Sequence, residues 1–322
     1  MQARTVLLRK IVNLLITLWA VWTLNFFLFH MLPGDPTHAL LPPRVPYDIA
    51  EEMKATFGLD KPLLEQYFIS LGTALRGDLG YSWFFKKPVL DVILYRLQYT
   101  LLLVGIGTSL TMALGVKLGI IAGTSRGRLT DMAIVGGSLA FYAMPAFWLG
   151  MILIMTLAGD LDLFPLHGFR SYTATNQTLL EGIADRLWHM ALPVSTFVLI
   201  TLSGFVLMMR SALIDVLTED YITTARATGL PRNLIVRKHA VPNALIPTVA
   251  TFAMYIGWAV TGVIMIEIVF SWPGVGSLTW QALTQRDFPV LQGIFLIVAV
   301  TMLVANLVAD IVYTYIDPRV RL

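Results

Sequence analysis

The residues whose types and spacing could do chemistry gather between Met209 and Pro247, in MRSALIDVLTEDYITTARATGLPRNLIVRKHAVPNALIP. This polar stretch carries Arg210, Arg226, Arg232, Arg237 and Lys238 and is flanked by two apolar runs. It reads as a short helix, a break and a second short helix. Asp220 is placed to cap the first, because its carboxylate can accept a free N–H of the opening turn. Tyr221, Ala225 and Gly229 recur at four-residue spacing and so share one face. Two of them are small, which would let another backbone approach closely. Gly229 suits the left-handed residue that ends a helix, and Pro231 resists continuation. Such a segment could recognise a partner but not make or break a bond. Two readings stand at this level: a rigid helix offered to a partner, or a basic loop that only fixes topology.

Other chemistries are poorly supported. The chain has no cysteine, so disulfides, thiolate metal sites and cysteine nucleophiles are excluded. The glycine-rich GTSRGR at Gly123–Arg128 lacks the lysine and hydroxyl of a phosphate-binding loop. His30, His38, His167, His189 and His239 include no pair at i, i+4, which argues against a catalytic metal. No G-x-S-x-G is present.

The elements that must position the polar segment are membrane helices. Of the 322 residues, 57% are hydrophobic and 13% charged, and mean hydropathy is +0.72. A soluble domain carries about a quarter charged residues. A net charge of +3 gives no case for nucleic acid. Six apolar segments have spanning length, at about Ile11–Leu32, Thr100–Ala122, Met132–Ala158, Met190–Met209, Ala244–Ile268 and Val290–Tyr313. The first follows Arg4, Arg9 and Lys10 and lacks a small-residue cleavage site, so it reads as a retained helix. Basic residues at the N-terminus, at Arg126 and Arg128, in the central loop and at Arg319 and Arg321 fall on one side. The positive-inside rule makes that side cytoplasmic, with both termini there.

The fold class expected is all-α integral membrane with six transmembrane helices. The divisions are 1–32 (N-terminus and first helix), 33–96 (external), 97–314 (transmembrane, with the loop 210–243) and 315–322 (tail). In the external part, PVLDVILYRL at Pro88–Leu97 reads as an interfacial helix with Val89, Leu90, Ile93, Leu94 and Leu97 on one face. Gly105, Gly107, Gly115, Gly119, Gly136, Gly137 and Gly150 would allow close helix packing, and Pro145 and Pro193 would kink their helices. Lys117 reads as snorkelling to the interface. Glu267 and Asp310, ionisable groups in or beside apolar runs, are either functional or helix anchors.

Taken jointly, several segments resemble one family. They are HMLPGDP (His30–Pro36), GLDKPLLEQY (Gly58–Tyr67), GDLGYS (Gly77–Ser82), PAFWLG (Pro145–Gly150), HMALP (His189–Pro193), RSALIDVLTEDYITTARATGL (Arg210–Leu230), HAVPNALIP (His239–Pro247), IEIVFSWPGVG (Ile266–Gly276), RDFPVLQG (Arg286–Gly293) and NLVADIVYTYIDPRVRL (Asn306–Leu322). In order and spacing they resemble the permease subunits of ABC importers for dipeptides, oligopeptides, glutathione and nickel. The resemblance implies a type I importer architecture and a coupling helix that docks on an ATPase subunit. Ala225 and Gly229 fall at that helix's alanine and glycine positions and Pro242 at its proline, with Asp220, Tyr221 and Arg226 beside them. Thr223 and Thr224 replace the family's glutamate and first alanine, and His239 and Val241 its isoleucine and leucine, so the motif is degenerate. Glu267, Pro273, Gly274 and Gly276 would belong to an outer loop near the gate. The resemblance further implies no cofactor and no catalysis in this chain, with ATP and Mg on partner subunits. Those partners would be a second homologous permease, two ATP-binding subunits and an external substrate-binding protein, in the inner membrane of a prokaryote. Cargo within the family includes peptides, nickel, glutathione and oligosaccharides. The rival classes are a self-sufficient secondary transporter or channel, which calls for an ionisable group near the midplane, and a membrane enzyme, which calls for a nucleophile or metal set.

Overall fold

The computed structural model describes residues 2–30, 61–82, 84–171, 178–249, 252 and 263–316, with the side chains of 10–29 in its first helix and those up to 308 in its last. In chain order the elements are α1 (Gln2–His30), α2 (Leu63–Leu75), β1 (Tyr81–Ser82), β2 (Lys87–Pro88), α3 (Val89–Thr124), α4 (Leu129–Tyr142) and α5 (Ala146–Leu153), the last running on as a π-helix over Ile154–Asp160. They continue with α6 (Leu179–Val216), α7 (Asp220–Ala227), α8 (Arg232–Leu234), a π-helix over Ile235–Ala240, α9 (Ile264–Val269), α10 (Val275–Gln285) and α11 (Phe288–Ile316). Helix also covers 241–249.

Among the described residues, four helical segments are long and apolar enough to cross a membrane: Lys10–Phe29, Val89–Thr124, Leu179–Val216 and Phe288–Val308. They match the first, second, fourth and sixth expected spans. The third expected span differs. It is a broken pair, α4 and α5, bent by 100°. The cause is Pro145, whose extended backbone (φ −59°, ψ 133°) precedes α5 and whose ring disfavours helix at Met144. A kink was expected there and a corner is found. Pro193 instead sits inside the unbroken α6. Most of the fifth expected span, along with Asp310's side chain and the segments 31–60, 172–177 and 317–322, lies outside the described residues.

The expected interfacial helix also changes character. Val89–Leu97 is the first part of the 36-residue α3, with no break before the span. At 1.5 Å per residue α3 is about 54 Å long, well beyond the ~30 Å hydrocarbon core. Val89, Val92 and Ile93 are buried, whereas Leu94 is exposed, so the inward face is rotated from the expected one.

The chain divides into two units. The first holds 1–100 and 273–304. Its core joins Phe29 of α1, Val89, Val92 and Ile93 of α3, Val275, Leu278 and Ala282 of α10, and Val290, Leu291 and Ile294 of α11. The β1–β2 hairpin is closed beside it: Ser82 donates to a carboxylate oxygen of Asp287 at 2.5 Å, and Asp287 in turn accepts from the N–H of Val290 at 3.4 Å and so caps α11. Two separated segments, GDLGYS and RDFP, therefore meet at one buried carboxylate.

The second unit holds 101–272 and 305–321. Its spine is the contact of α3 with α6. Gly107 lies on Phe197, Gly115 on Phe205, Gly119 on Met209 and Gly123 on Leu213, and the hydroxyls of Thr111 and Thr201 meet at 3.1 Å. Residue numbers rise together on both sides, so the helices run parallel. A Cβ added at Gly119 would stand 2.7 Å from that of Met209, closer than packed atoms come. Small residues at a helix interface replace the hydrophobic drive that lipid does not supply. Gly150 of α5 packs on Val269 and Phe270, while Gly105, Gly136 and Gly137 have no such neighbour among the described residues. At its start α6 carries a capping box between Thr178 and Glu181.

Candidate functional site

The site builds up from the end of α6. Met209 and Leu213 are fully buried there, and they continue into a cluster with Ile222 of α7, Ile235, Ala240 and Ala244. Val116 and Ile120 of α3 close its other side. Ile222 is the anchor of α7. Burying such a side chain stabilises by roughly 1.5–3 kcal/mol, enough to seat an eight-residue helix that would not form alone.

The ends of α7 follow from the sequence with one correction. The N-cap is Glu219, with extended backbone, and Asp220 lies in the first turn. The Glu219 carbonyl already accepts from the N–H groups of Ile222 and Thr223, so the turn closes one residue earlier than expected. Asp220 still favours this end through the helix dipole. At the other end Gly229 has φ +79°, and its N–H donates to the Arg226 carbonyl at 3.0 Å. An added Cβ at Gly229 would meet nothing within 4 Å among the described residues, which leave this surface open.

Four polar contacts brace the helix and the segment that follows it. The Tyr221 hydroxyl donates to the His239 carbonyl at 3.5 Å and accepts from the Asn243 amide at 3.1 Å. Arg226 donates to the Leu217 carbonyl at 3.2 Å, and Arg232 to the Thr124 carbonyl at the end of α3 at 2.9 Å. The structure thus brings Asp220, Tyr221, Ala225, Arg226 and Gly229 together on one short helix and its cap. Pro242 is exposed on the following helix. Ala225 leans toward the cluster rather than fully outward, leaving Tyr221, Thr223, Thr224 and Arg226 as the exposed side.

Sequence reasoning missed the pairing at this site, as it missed that of Ser82 with Asp287. Arg210 was read as loop charge, yet its guanidinium grips Asp131 of α4, Nε to Oδ1 at 2.6 Å and Nη2 to Oδ2 at 2.8 Å. Asp131 also accepts from the Gly127 N–H at 2.9 Å, closing the GTSRGR turn. The only available signal was an aspartate one turn into a helix start.

The residues expected in an outer loop lie in both units. In the second, Glu267 of α9 is fully buried and its carbonyl accepts from the Trp272 N–H at 2.7 Å. Phe270 and Trp272 are buried beside it, and the Gly168 N–H donates to the Phe270 carbonyl at 2.9 Å. In the first, Pro273 leads to Gly274, the residue before α10, and Gly276 is buried in that helix's first turn. The Val275 N–H donates to the Thr100 hydroxyl at 2.8 Å. Among the described residues, no three His, Asp or Glu side chains converge on a metal position.

Residues 115–322 match the family described as binding-protein-dependent transport system inner membrane component, and residues 4–104 match that system's N-terminal membrane component. The chain is 35% identical over 332 residues to the dipeptide transport system permease protein DppB of Escherichia coli (strain K12), covering 98% of each. It is 34% identical over 305 residues to the oligopeptide transport system permease protein AppB of Bacillus subtilis (strain 168), covering 94% of this chain and 95% of that one. A chain of the inward-facing MetNI methionine ABC transporter superposes with a TM-score of 0.54 at 15% identity, covering 71% of this chain and 97% of that chain, which shows a shared fold. The chain therefore belongs to the family of inner-membrane components of binding-protein-dependent transport systems, as a permease subunit of an ABC importer that works with ATP-binding subunits and a binding protein.

Proposed function

We propose that this permease passes peptides or peptide-like solutes, delivered by an external binding protein, and that α7 is the helix on which an ATP-binding subunit docks. A second homologous permease completes the pathway, and two ATP-binding subunits hold ATP and Mg and do the hydrolysis. Both termini and α7 lie in the cytoplasm. The relatives named for dipeptide and oligopeptide transport support the cargo class. The parallel run of α3 and α6 supports the topology, since the second and fourth spans of such a chain cross in the same direction.

One observation carries the docking assignment. The inner side of α7 is locked into this chain's own core by Ile222, while its outer side and the Gly229 cap are exposed. A helix held so firmly from behind can transmit a push. Glu267, Pro273, Gly274 and Gly276 are assigned to the outer gate on the same family grounds.

The test is co-purification of the ATP-binding subunits with this chain, for wild type, Gly229→Arg and Gly229→Asn. Asparagine tolerates the left-handed conformation that Gly229 adopts, so it separates backbone strain from steric exclusion. The subunits should stay with wild type and Gly229→Asn and be lost with Gly229→Arg. Their retention by Gly229→Arg would remove α7 from the docking site.

A further inference from the structure

We propose that Asp131 and Arg210 are positioning residues for transport: their ion pair ties the start of α4 to α6 beside the docking helix, so a displacement of α7 reaches both helices together. The proposal rests on the reading of α7 as the docking element.

The geometry makes the region around Met209 a node. Met209 is fully buried; it touches Gly119 of α3 and belongs to the cluster that holds Ile222 of α7. Its neighbour Arg210 leaves α6 on a different side and takes the Asp131 carboxylate with two parallel bonds. The same carboxylate holds the Gly127 N–H. The turn it closes begins where Arg232, just past α7, grips the Thr124 carbonyl. From α7 the chain of contacts thus runs by two routes to the same place: through the apolar cluster to α6, and through Arg232 to the turn before α4. The ion pair joins the two routes.

The choice of residues favours positioning over adhesion. Asp131 is 3% exposed, and taking a carboxylate out of water is costly. An aliphatic pair of similar volume would hold the helices at least as firmly. What the bidentate fork adds is a fixed register and orientation, because two parallel N–H···O bonds do not survive sliding of one helix past the other. Coupling of motion needs that, and simple cohesion does not.

The experiment uses the whole importer in proteoliposomes, with this chain, its partner permease, the ATP-binding subunits and the binding protein. Uptake of a radiolabelled dipeptide and ATP hydrolysis are measured together for wild type, Asp131→Asn, Arg210→Lys and the exchange Asp131→Arg with Arg210→Asp. Asp131→Asn keeps the volume and leaves a partly exposed guanidinium able to reach water. It should retain the ATP-binding subunits and most hydrolysis, while ATP spent per dipeptide rises at least about tenfold, the scale at which contacting pairs couple. Arg210→Lys, which keeps the charge and loses the fork, should move the ratio the same way, and the exchange should recover part of it. Binding-protein stimulation of hydrolysis reports the same split without a transported solute. A ratio that stays at the wild-type value in Asp131→Asn and Arg210→Lys would leave the pair a structural brace only, and so would uptake and hydrolysis falling in proportion. ATP-binding subunits retained by Gly229→Arg would instead sink the docking reading, whatever the ratio does.

Discussion

Asp131 and Asp287 are both buried carboxylates at helix starts, and they are satisfied in opposite ways. Asp131 faces a guanidinium that meets it with two charged donors at 2.6 and 2.8 Å. Asp287 faces the Ser82 hydroxyl at 2.5 Å and the Val290 N–H in the first turn of α11. The first pairing compensates a full charge. The second offers only dipoles, and burial pushes the Asp287 carboxyl above its ordinary 3.8, against the lowering by its hydrogen bonds. The lesson is that a carboxylate's response depends on the partner it meets as well as on the depth at which it sits. The joint between α4 and α6 is built to keep its charge, whereas the hairpin clasp is built around a group that burial drives toward neutrality.

The comparison breaks most visibly at Arg210. Arg210→Ala strands a carboxylate that is 3% exposed. Removing one member of a buried pair costs about 3–5 kcal/mol, and the partial exposure of Arg210 places this case at the lower end of that range. Thermal unfolding of the detergent-purified chain should show a large fall. A change no greater than that of an exposed substitution would mean the pair is solvated.

Asp287 sharpens the contrast through pH. Its folded pKa is raised, so the folded state keeps its proton while the unfolded state has already lost it. The contribution of the clasp is therefore fully favourable below 3.8 and declines as pH rises from there through the raised folded value. Asp287→Asn cannot ionise and still accepts from Ser82. It should flatten this part of the stability–pH curve while leaving the fold intact. An unchanged slope would place the titration elsewhere.

The smallest effect belongs to Arg232, whose single bond reaches the Thr124 carbonyl at the surface. Arg232→Ala should cost about 1 kcal/mol or less, read from the same unfolding curves. A loss as large as that of Arg210→Ala would show that the turn, rather than the ion pair, holds α4.

These residues also show what the sequence made legible. The first, second, fourth and sixth apolar spans and the basic segment were plain, because both are local patterns. The i, i+4 run of Gly115 and Gly119 announced a helix interface, and α6 fills it. Gly123 was read only as part of the turn, although it continues the same row against Leu213. Gly105, Gly136 and Gly137 looked equivalent but face no neighbour among the described residues, since glycine content does not say which face is covered. The extent of α7 was legible from its cap glycine and proline, and its N-cap was misplaced by one residue. Asp131–Arg210 and Ser82–Asp287 were not legible as pairs. Each joins residues far apart in sequence, and nothing in one partner's local pattern names the other. Ile222 was hidden for a related reason: one apolar residue in a polar stretch gives no periodicity.

The most direct test of the central claim uses a property of the chain itself, which contains no cysteine. Thr224→Cys on the exposed side of α7 and Tyr81→Cys on the β1–β2 hairpin give single-thiol variants without background. Each would be assembled into the importer and treated with a short thiol-to-amine crosslinker. The account predicts that Thr224→Cys joins to an ATP-binding subunit and Tyr81→Cys does not. A crosslink from Tyr81→Cys to that subunit, with none from Thr224→Cys, would contradict both the topology and the docking role of α7.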